Sequence, residues 1–228
     1  MTLKNRLMVR YWLLLILMFG ASTAVSETKT IGIVVFDGVL TSDITAPIEV
    51  FGEASHQSWF SDYRVITISA SDSTLIKTEH GISINADTTI LKNPKVDVLL
   101  LPSAYNMKPI LKNKRLIEFI TKNAKTVDWI ASNCSGAFLL GKAGLLGGKK
   151  ATTWAGGEGD LEKAFPEIKV QWNKNVVVDG NIITSNGSLV SYEAAFVLLS
   201  KMSSSGKANE VAEALQYTRI AKALTLPQ

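Results

Sequence analysis

Cys134 is the only cysteine in the 228-residue chain, and its neighbours place it where a reactive group is useful. The apolar run at residues 126–132 (Thr-Val-Asp-Trp-Ile-Ala-Ser) reads as a strand, and residues 135–143 (Ser-Gly-Ala-Phe-Leu-Leu-Gly-Lys-Ala) read as a helix. A side chain at such a corner points away from the sheet. It lies beside free backbone N–H groups and the positive end of the helix dipole, which favour a thiolate. Nucleophile elbows use the same corner, with glycines that let chain segments pass closely, and Gly136 stands just after the cysteine. The chemistry on offer is attack by sulfur on an electrophilic carbon. A buried free cysteine acting as a small hydrophobe is the plain alternative, and the flanking pattern favours the reactive reading.

Other chemistries find little support. The chain has two histidines, His56 and His80, with no clustered ligands around either, so no metal is called for. No phosphate-cradling loop or dinucleotide fingerprint is present, and no cofactor is expected. Gly156-Gly157 before Glu158 could greet an anion at a helix start, but a loop is the better reading. Trp129, Trp154 and Trp172 are read first as core or interface residues.

The elements that must position Cys134 alternate between strand and helix. Residues 30–36 form an apolar run without polar alternation, as in a fully buried strand. A helix follows from about Asp43, whose plain reading is an acid complementing the helix dipole. Residues 63–69 alternate like a strand nearer an edge, and residues 73–90 read as a short β excursion around Gly81. Residues 96–101 are a second buried strand ended by Pro102, followed by a helix over roughly 109–123. Residues 176–184 carry a hairpin signal with Asp179-Gly180 near the turn, and Ser188 is a candidate cap for the helix through Leu199. The pattern predicts an α/β fold with a mainly parallel sheet and helices on both faces. Sites in such sheets form beyond the carboxyl ends of strands. Phe36, Pro102 and Asn133 mark three such ends, which brings Asp37–Asp43, Ser103–Met107 and Cys134 around one crevice.

Residues 1–26 read as a secretory signal peptide, with Lys4, Arg6 and Arg10 before the uncharged apolar run 11–21 and small residues beyond it. Cleavage after Ala24 or Ser26 fits, with an uncleaved anchor as the alternative. The run is short for a membrane span of roughly 20 residues, so no stable anchor is expected after cleavage. The expected address is the bacterial periplasm or outside the cell. Without the three basic residues of this leader the formal charge falls from +4 to +1, which removes the case for a nucleic-acid partner. Residues 27–228 then read as a single domain. A lone thiol in an oxidising compartment is a liability unless it is buried or used.

Residues 132–153 (Ser-Asn-Cys-Ser-Gly-Ala-Phe-Leu-Leu-Gly-Lys-Ala-Gly-Leu-Leu-Gly-Gly-Lys-Lys-Ala-Thr-Thr) resemble the cysteine elbow of the ThiJ/PfpI superfamily, within the class I glutamine amidotransferase-like folds. The branch they resemble holds isonitrile hydratases and the N-terminal domains of AraC-type regulators. Residues 36–51 resemble its first strand–loop–helix, whose Leu-Asp-x-x-Gly-Pro signature falls on residues 42–47 (Ser-Asp-Ile-Thr-Ala-Pro) here, and residues 186–195 resemble its late helix start, with Glu193 at a usual acidic position. The resemblance implies a flavodoxin-like α/β sandwich, commonly a homodimer, with a cysteine nucleophile at Cys134 and its acid partner at Asp43. It further implies Ser135 and the Ser103–Ala104 loop as donors to developing negative charge. Tyr105 and Trp154, on their own chemistry, are candidate pocket walls.

The implied function is a cysteine-dependent hydratase or hydrolase acting on a small electrophilic molecule. The alternative is a ligand-binding or redox- and stress-sensing domain without catalysis; the stretch after Tyr217 is short for the DNA-reading module of the AraC branch. Two departures from the family bear on this. Relatives often carry Thr-Thr-His-Trp after the elbow, whereas Trp154 directly follows Thr152-Thr153 here, which argues against a Cys–His peptidase dyad. Relatives usually carry Pro-Gly-Gly where this chain has Pro102-Ser103-Ala104, so Ser103 adds a hydroxyl.

Overall fold

Short runs of β-branched residues and leucine without polar alternation build the buried strands of the computed structural model, which describes residues 28–57 and 63–223. The leader expected over residues 1–26 lies outside the described residues. In chain order the first half runs β1 (Lys29–Val35), α1 (Thr41–His56), β2 (Tyr63–Ser69), β3 (Leu75–Lys77), β4 (Ser83–Asn85), β5 (Thr88–Thr89) and β6 (Val98–Leu101). Next come α2 (Lys108–Leu111), α3 (Lys114–Asn123), β7 (Trp129–Asn133), a 3-10 turn at Cys134–Gly136, and α4 (Ala137–Lys142). The second half holds β8 (Lys150–Ala151), α5 (Glu158–Ala164), β9 (Lys169–Val170), β10 (Val176–Asp179), β11 (Ile182–Ser185), α6 (Val190–Met202), α7 (Ser205–Ala214) and α8 (Tyr217–Ala223).

The main sheet has seven strands in the order β10-β11-β7-β6-β1-β2-β5, parallel throughout except for β10, which returns antiparallel on β11. Helices α1, α6 and α7 pack on one another, while α2, α3 and α4 form a separate group, so the mainly parallel sheet has helices around it as the alternation implied. Ile31, Ile33, Leu99, Leu101 and Ile130 are fully or almost fully buried between these layers. At the amino ends of the strands Lys29 reaches both Asp97 and Asp128 at 3.0 Å, tying β1 to the segments that lead into β6 and β7. The chain leaves β1 for β2 on one side and later returns to β6 on the other. The crevice between the carboxyl ends of β1 and β6 is therefore the topological switch point.

Local chemistry corrects three sequence expectations. The helix expected over 109–123 is two helices, because Asn113 adopts an extended conformation between them. Its side chain accepts the Leu116 N–H and donates to the Ala70 carbonyl. Ser188 does not cap α6: it sits at φ +54, and the helix begins after Leu189 without a side-chain cap. Helix α1 starts at Thr41, ahead of Asp43. The excursion around Gly81 is a separate two-stranded β3–β4 hairpin, and the Asp179-Gly180 turn closes β10 onto β11 as read.

The elbow depends on one close approach. A Cβ on Gly136 would lie 2.3 Å from the Leu101 carbonyl oxygen and 3.0 Å from that of Pro102, so only glycine lets the turn after Cys134 cross the end of β6. Gly136→Ala is expected to destabilise the fold by roughly 2–3 kcal/mol, because the clashing atoms belong to backbone that cannot rotate away. Urea unfolding of both proteins measures this, and an unchanged midpoint with an unchanged slope contradicts it.

Candidate active site

The carboxyl ends of β1, β6, β7 and β11 lie side by side, and each delivers a polar residue to the same place. Cys134 follows β7 directly at φ +50, a left-handed conformation that is uncommon for a residue with a side chain and is met at strained functional corners. The corner is held from several sides. The Thr153 hydroxyl donates to the Cys134 carbonyl at 2.9 Å, and the Asn186 amide donates in turn to the Thr153 carbonyl at 2.5 Å. Gly187 packs directly on the cysteine: a Cβ there, at φ +77, would lie 2.5 Å from the Cys134 Cβ and 3.2 Å from Asp43 Oδ1.

Asp43 is fully buried in the first turn of α1 and accepts four hydrogen bonds. Oδ2 takes the Ser103 N–H at 3.0 Å and the Ser103 hydroxyl at 2.5 Å, both from the end of β6. Oδ1 takes the Ser188 N–H at 3.1 Å and the Ser191 hydroxyl at 2.8 Å, both from beyond β11. These donors favour the carboxylate, but burial outweighs them and pushes the carboxyl above its ordinary range. Its main-chain carbonyl has a separate fate. Pro47, four residues on, has no N–H to return to it, and the Asn133 side-chain amide reaches across at 3.4 Å instead. Asn133 Oδ1 accepts from the Ser185 hydroxyl at 2.6 Å, which itself accepts the Gly187 N–H.

The structure brings Cys134 and Asp43 into one site as the sequence implied, but no hydrogen bond joins them directly. The Ser103 side chain bonds to Asp43 and lies near enough to the Cys134 thiol to favour its ionised form. The thiol is partly buried, and that burial pushes it above its ordinary value, with the nearby Asp43 charge adding to the rise. The Ser103 hydroxyl and the Ser135 N–H and hydroxyl pull the other way and lose. The thiolate expected from the helix terminus is thus overturned by desolvation, since α4 is short and the sulfur is largely removed from water.

The remaining expected residues divide. The Ser135 N–H faces the sulfur as a backbone donor, and its hydroxyl bonds to the Ala104 carbonyl at 3.2 Å. The Ser103 N–H is consumed by Asp43, so it is not free to steady a substrate anion as expected. Ala104 pairs with Val39 as an isolated bridge that ties the β6 loop to the β1 loop. Tyr105 is 76% exposed at the rim, edge-on to His80 at 6.5 Å. Trp154 stacks on Phe138 at 5.5 Å and lies over Gly157, which gives its ring a packing role. Trp172 is half exposed. His80 Nδ1 lies 3.3 Å from the Thr41 hydroxyl at the start of α1, and neither histidine is bonded to Cys134. The Gly156 N–H bonds to Glu158 of its own helix start, so an internal carboxylate satisfies the candidate anion corner. Among the described residues no three metal-ligating side chains cluster. Ser188, Ser191 and Ser185 were missed as site residues; the serines around Asn186-Gly187 after a strand were the one sequence signal that pointed to them.

Residues 29–201 match the DJ-1/PfpI family, and the chain belongs to it. It is similar to the isonitrile hydratase of Pseudomonas putida, 29% identical over 192 residues that cover 82% of this chain and 78% of that protein. It is also similar to deglycase PfpI of Pyrococcus furiosus, 31% identical over 141 residues covering 60% of this chain and 82% of that one. The crystal structure of Drosophila melanogaster DJ-1beta shares the fold, with a TM-score of 0.73 at 22% identity over 83% of this chain and 98% of that chain.

The raised thiol has a consequence for stability. A group whose folded pKa exceeds its unfolded value contributes stability below the unfolded pKa and loses it as pH rises through the folded one. For Cys134 that loss falls on the alkaline side of the ordinary thiol range, above about pH 8.5. The urea midpoint of the wild type should therefore drop more steeply with alkaline pH than that of Cys134→Ala. Parallel curves for the two proteins would contradict the shift.

Proposed function

We propose that this DJ-1/PfpI family member is a cysteine-dependent hydratase of small electrophilic molecules, with an isonitrile as the leading substrate class. The observation that carries the reading is a strained elbow cysteine packed, with Gly187 against both, beside a fully buried carboxyl at the switch point. The similarity to an isonitrile hydratase over most of both chains supports the substrate class. In the proposed reaction, sulfur bonds to the terminal isonitrile carbon while that carbon takes a proton, giving a thioimidate. Water then adds across the carbon–nitrogen bond, and release of the thiol leaves the N-substituted formamide, so that one water is consumed overall. Cys134 forms the covalent bond, and Ser135 N–H is the backbone donor beside it. Asp43 has no surface open to substrate and acts from behind the sulfur as the store for the proton.

A second reading is favoured by the lack of a histidine bonded to the sulfur: a sensing domain whose cysteine is oxidised rather than used to attack carbon. The leader pattern of residues 1–26 supports an exported protein, which recovery of a mature N-terminus at residue 25 or 27 from the periplasmic fraction would test.

Incubation with simple alkyl and aryl isonitriles, followed by chromatographic detection of the formamide, separates the two readings. Turnover should be lost in Cys134→Ala and fall by about 100-fold or more in Asp43→Asn. Formamide production that persists in Cys134→Ala contradicts the mechanism. Stoichiometric sulfinate at Cys134 after peroxide, with no isonitrile consumed, establishes the sensing reading in its place.

A further inference from the structure

We infer that the cavity between α1, α6 and α8 is a binding site for a small organic cation, an ammonium head carried on an apolar body. The inference goes beyond the hydratase reading and does not depend on it. The cavity has a volume of about 490 Å³, within the ~300–1,000 Å³ usual for small-molecule sites. Neither Cys134 nor Asp43 is among the described residues that line it.

Its walls follow from the fold-back after α7. Gln216 adopts φ +61 between α7 and α8, which turns Tyr217 back onto α6. There the Tyr217 ring lies 5.0 Å from that of Phe196 and 6.5 Å from that of Tyr192, two residues one helical turn apart. The Tyr192 and Tyr217 rings are close to parallel, at 25°, and both line the cavity. Leu189, Val190, Leu215 and Ile220 supply aliphatic wall. Leu189 is 78% exposed and Ile220 56%, so part of this apolar surface is left uncovered by the core. The first turn of α6 thus has two faces. Ser188 and Ser191 bond to Asp43, whereas Leu189, Tyr192 and Glu193 border the cavity.

Charge decides which ligand fits. Among the described lining residues the charged side chains are both carboxylates, Glu49 on α1 and Glu193 on α6, with no lysine or arginine beside them. Each meets a neutral donor. Glu49 accepts the Tyr192 hydroxyl at 2.5 Å, and Glu193 accepts the Asn175 amide at 3.0 Å. Neither forms an ion pair among the described residues. A carboxylate offers about four acceptor sites, so one neutral donor leaves each able to take an ammonium N–H. Two uncompensated negative charges repel an anion and favour a cation over a neutral molecule of the same shape. Tyrosine faces act in the same direction, because their quadrupole attracts a cation within about 6 Å of the ring centroid. A bare metal ion would leave the aliphatic wall unused, and no three metal-ligating side chains cluster among the described residues. Carboxylates, ring faces and aliphatic wall together call for a cationic head on an apolar body.

Calorimetric titration of the whole protein with 3-phenylpropylammonium at neutral pH tests the site, with 3-phenylpropan-1-ol as the neutral molecule of the same shape. The ammonium should bind about tenfold more tightly than the alcohol, the combined worth of exposed carboxylates and a cation–π contact. Glu49→Gln with Glu193→Gln keeps an acceptor for Tyr192 and for Asn175 and removes both charges. It should bring the ammonium down to the affinity of the alcohol and leave the alcohol unchanged. Tyr217→Leu, which keeps an apolar wall without the ring, should weaken the ammonium more than the alcohol. Cys134→Ala should bind the ammonium as the wild type does. Equal affinity for ammonium and alcohol in the wild type overturns the inference, as does the absence of saturable ammonium binding. Ammonium binding that survives the double substitution undiminished, or is lost in Cys134→Ala, also overturns it. Failure to hydrate isonitriles with ammonium selectivity present overturns the substrate reading and leaves this site standing.

Discussion

The burial of the Asp43 carboxyl is the constraint around which the site is assembled. Moving an ionisable carboxyl out of water is expensive unless donors replace the lost hydration, and each buried donor left unpaired costs about 1–3 kcal/mol. Here the replacements come from two chain segments far away in sequence, Ser103 after β6 and Ser188 with Ser191 after β11. Neither segment can move without stranding a polar group in the interior. The same contacts therefore fix the spacing of the β1, β6 and β11 loops around Cys134. Burial still prevails over the four donors, and the carboxyl holds its proton more readily than an ordinary aspartic acid.

That balance governs the cysteine. At an ordinary helix terminus the dipole would lower a thiol, but this sulfur is largely withdrawn from water beside a second acid. The strain of a positive φ at Cys134 survives because its surroundings over-determine it: Thr153 holds its carbonyl, Gly187 presses on its Cβ and Gly136 admits the turn across β6. Removing Pro47 from α1 would give the Asp43 carbonyl a helical partner and release Asn133, so a helix proline also belongs to the framework of the elbow.

The sequence made the frame legible where physics is local. Apolar runs without alternation located β1 and β6, the Ser132–Ala143 pattern located the elbow, and the alternation of elements predicted the crevice at the strand ends. The resemblance of residues 36–51 singled out Asp43. Side-chain networks that join distant strands left no such trace. Nothing in the residue string says that Ser191 Oγ meets Asp43 Oδ1 across 148 positions, or that Asn133 supplies the bond Pro47 removes. The depth of the sulfur was equally hidden, so the dipole was overweighted and the thiolate expected. The single helix expected over 109–123 failed for a different reason. Its periodicity runs on through Asn113, whose side chain instead caps α3 and anchors to Ala70.

The two departures from the family pattern are physically complementary. Directly after Thr153, Trp154 stacks on Phe138 and provides no proton acceptor. At the end of β6, Ser103 provides a hydroxyl that bonds to the buried Asp43 carboxyl. An imidazole would exchange protons with water and titrate near neutrality. The buried carboxyl whose charge bears on this cysteine lies on the first turn of α1, bonded to the end of β6.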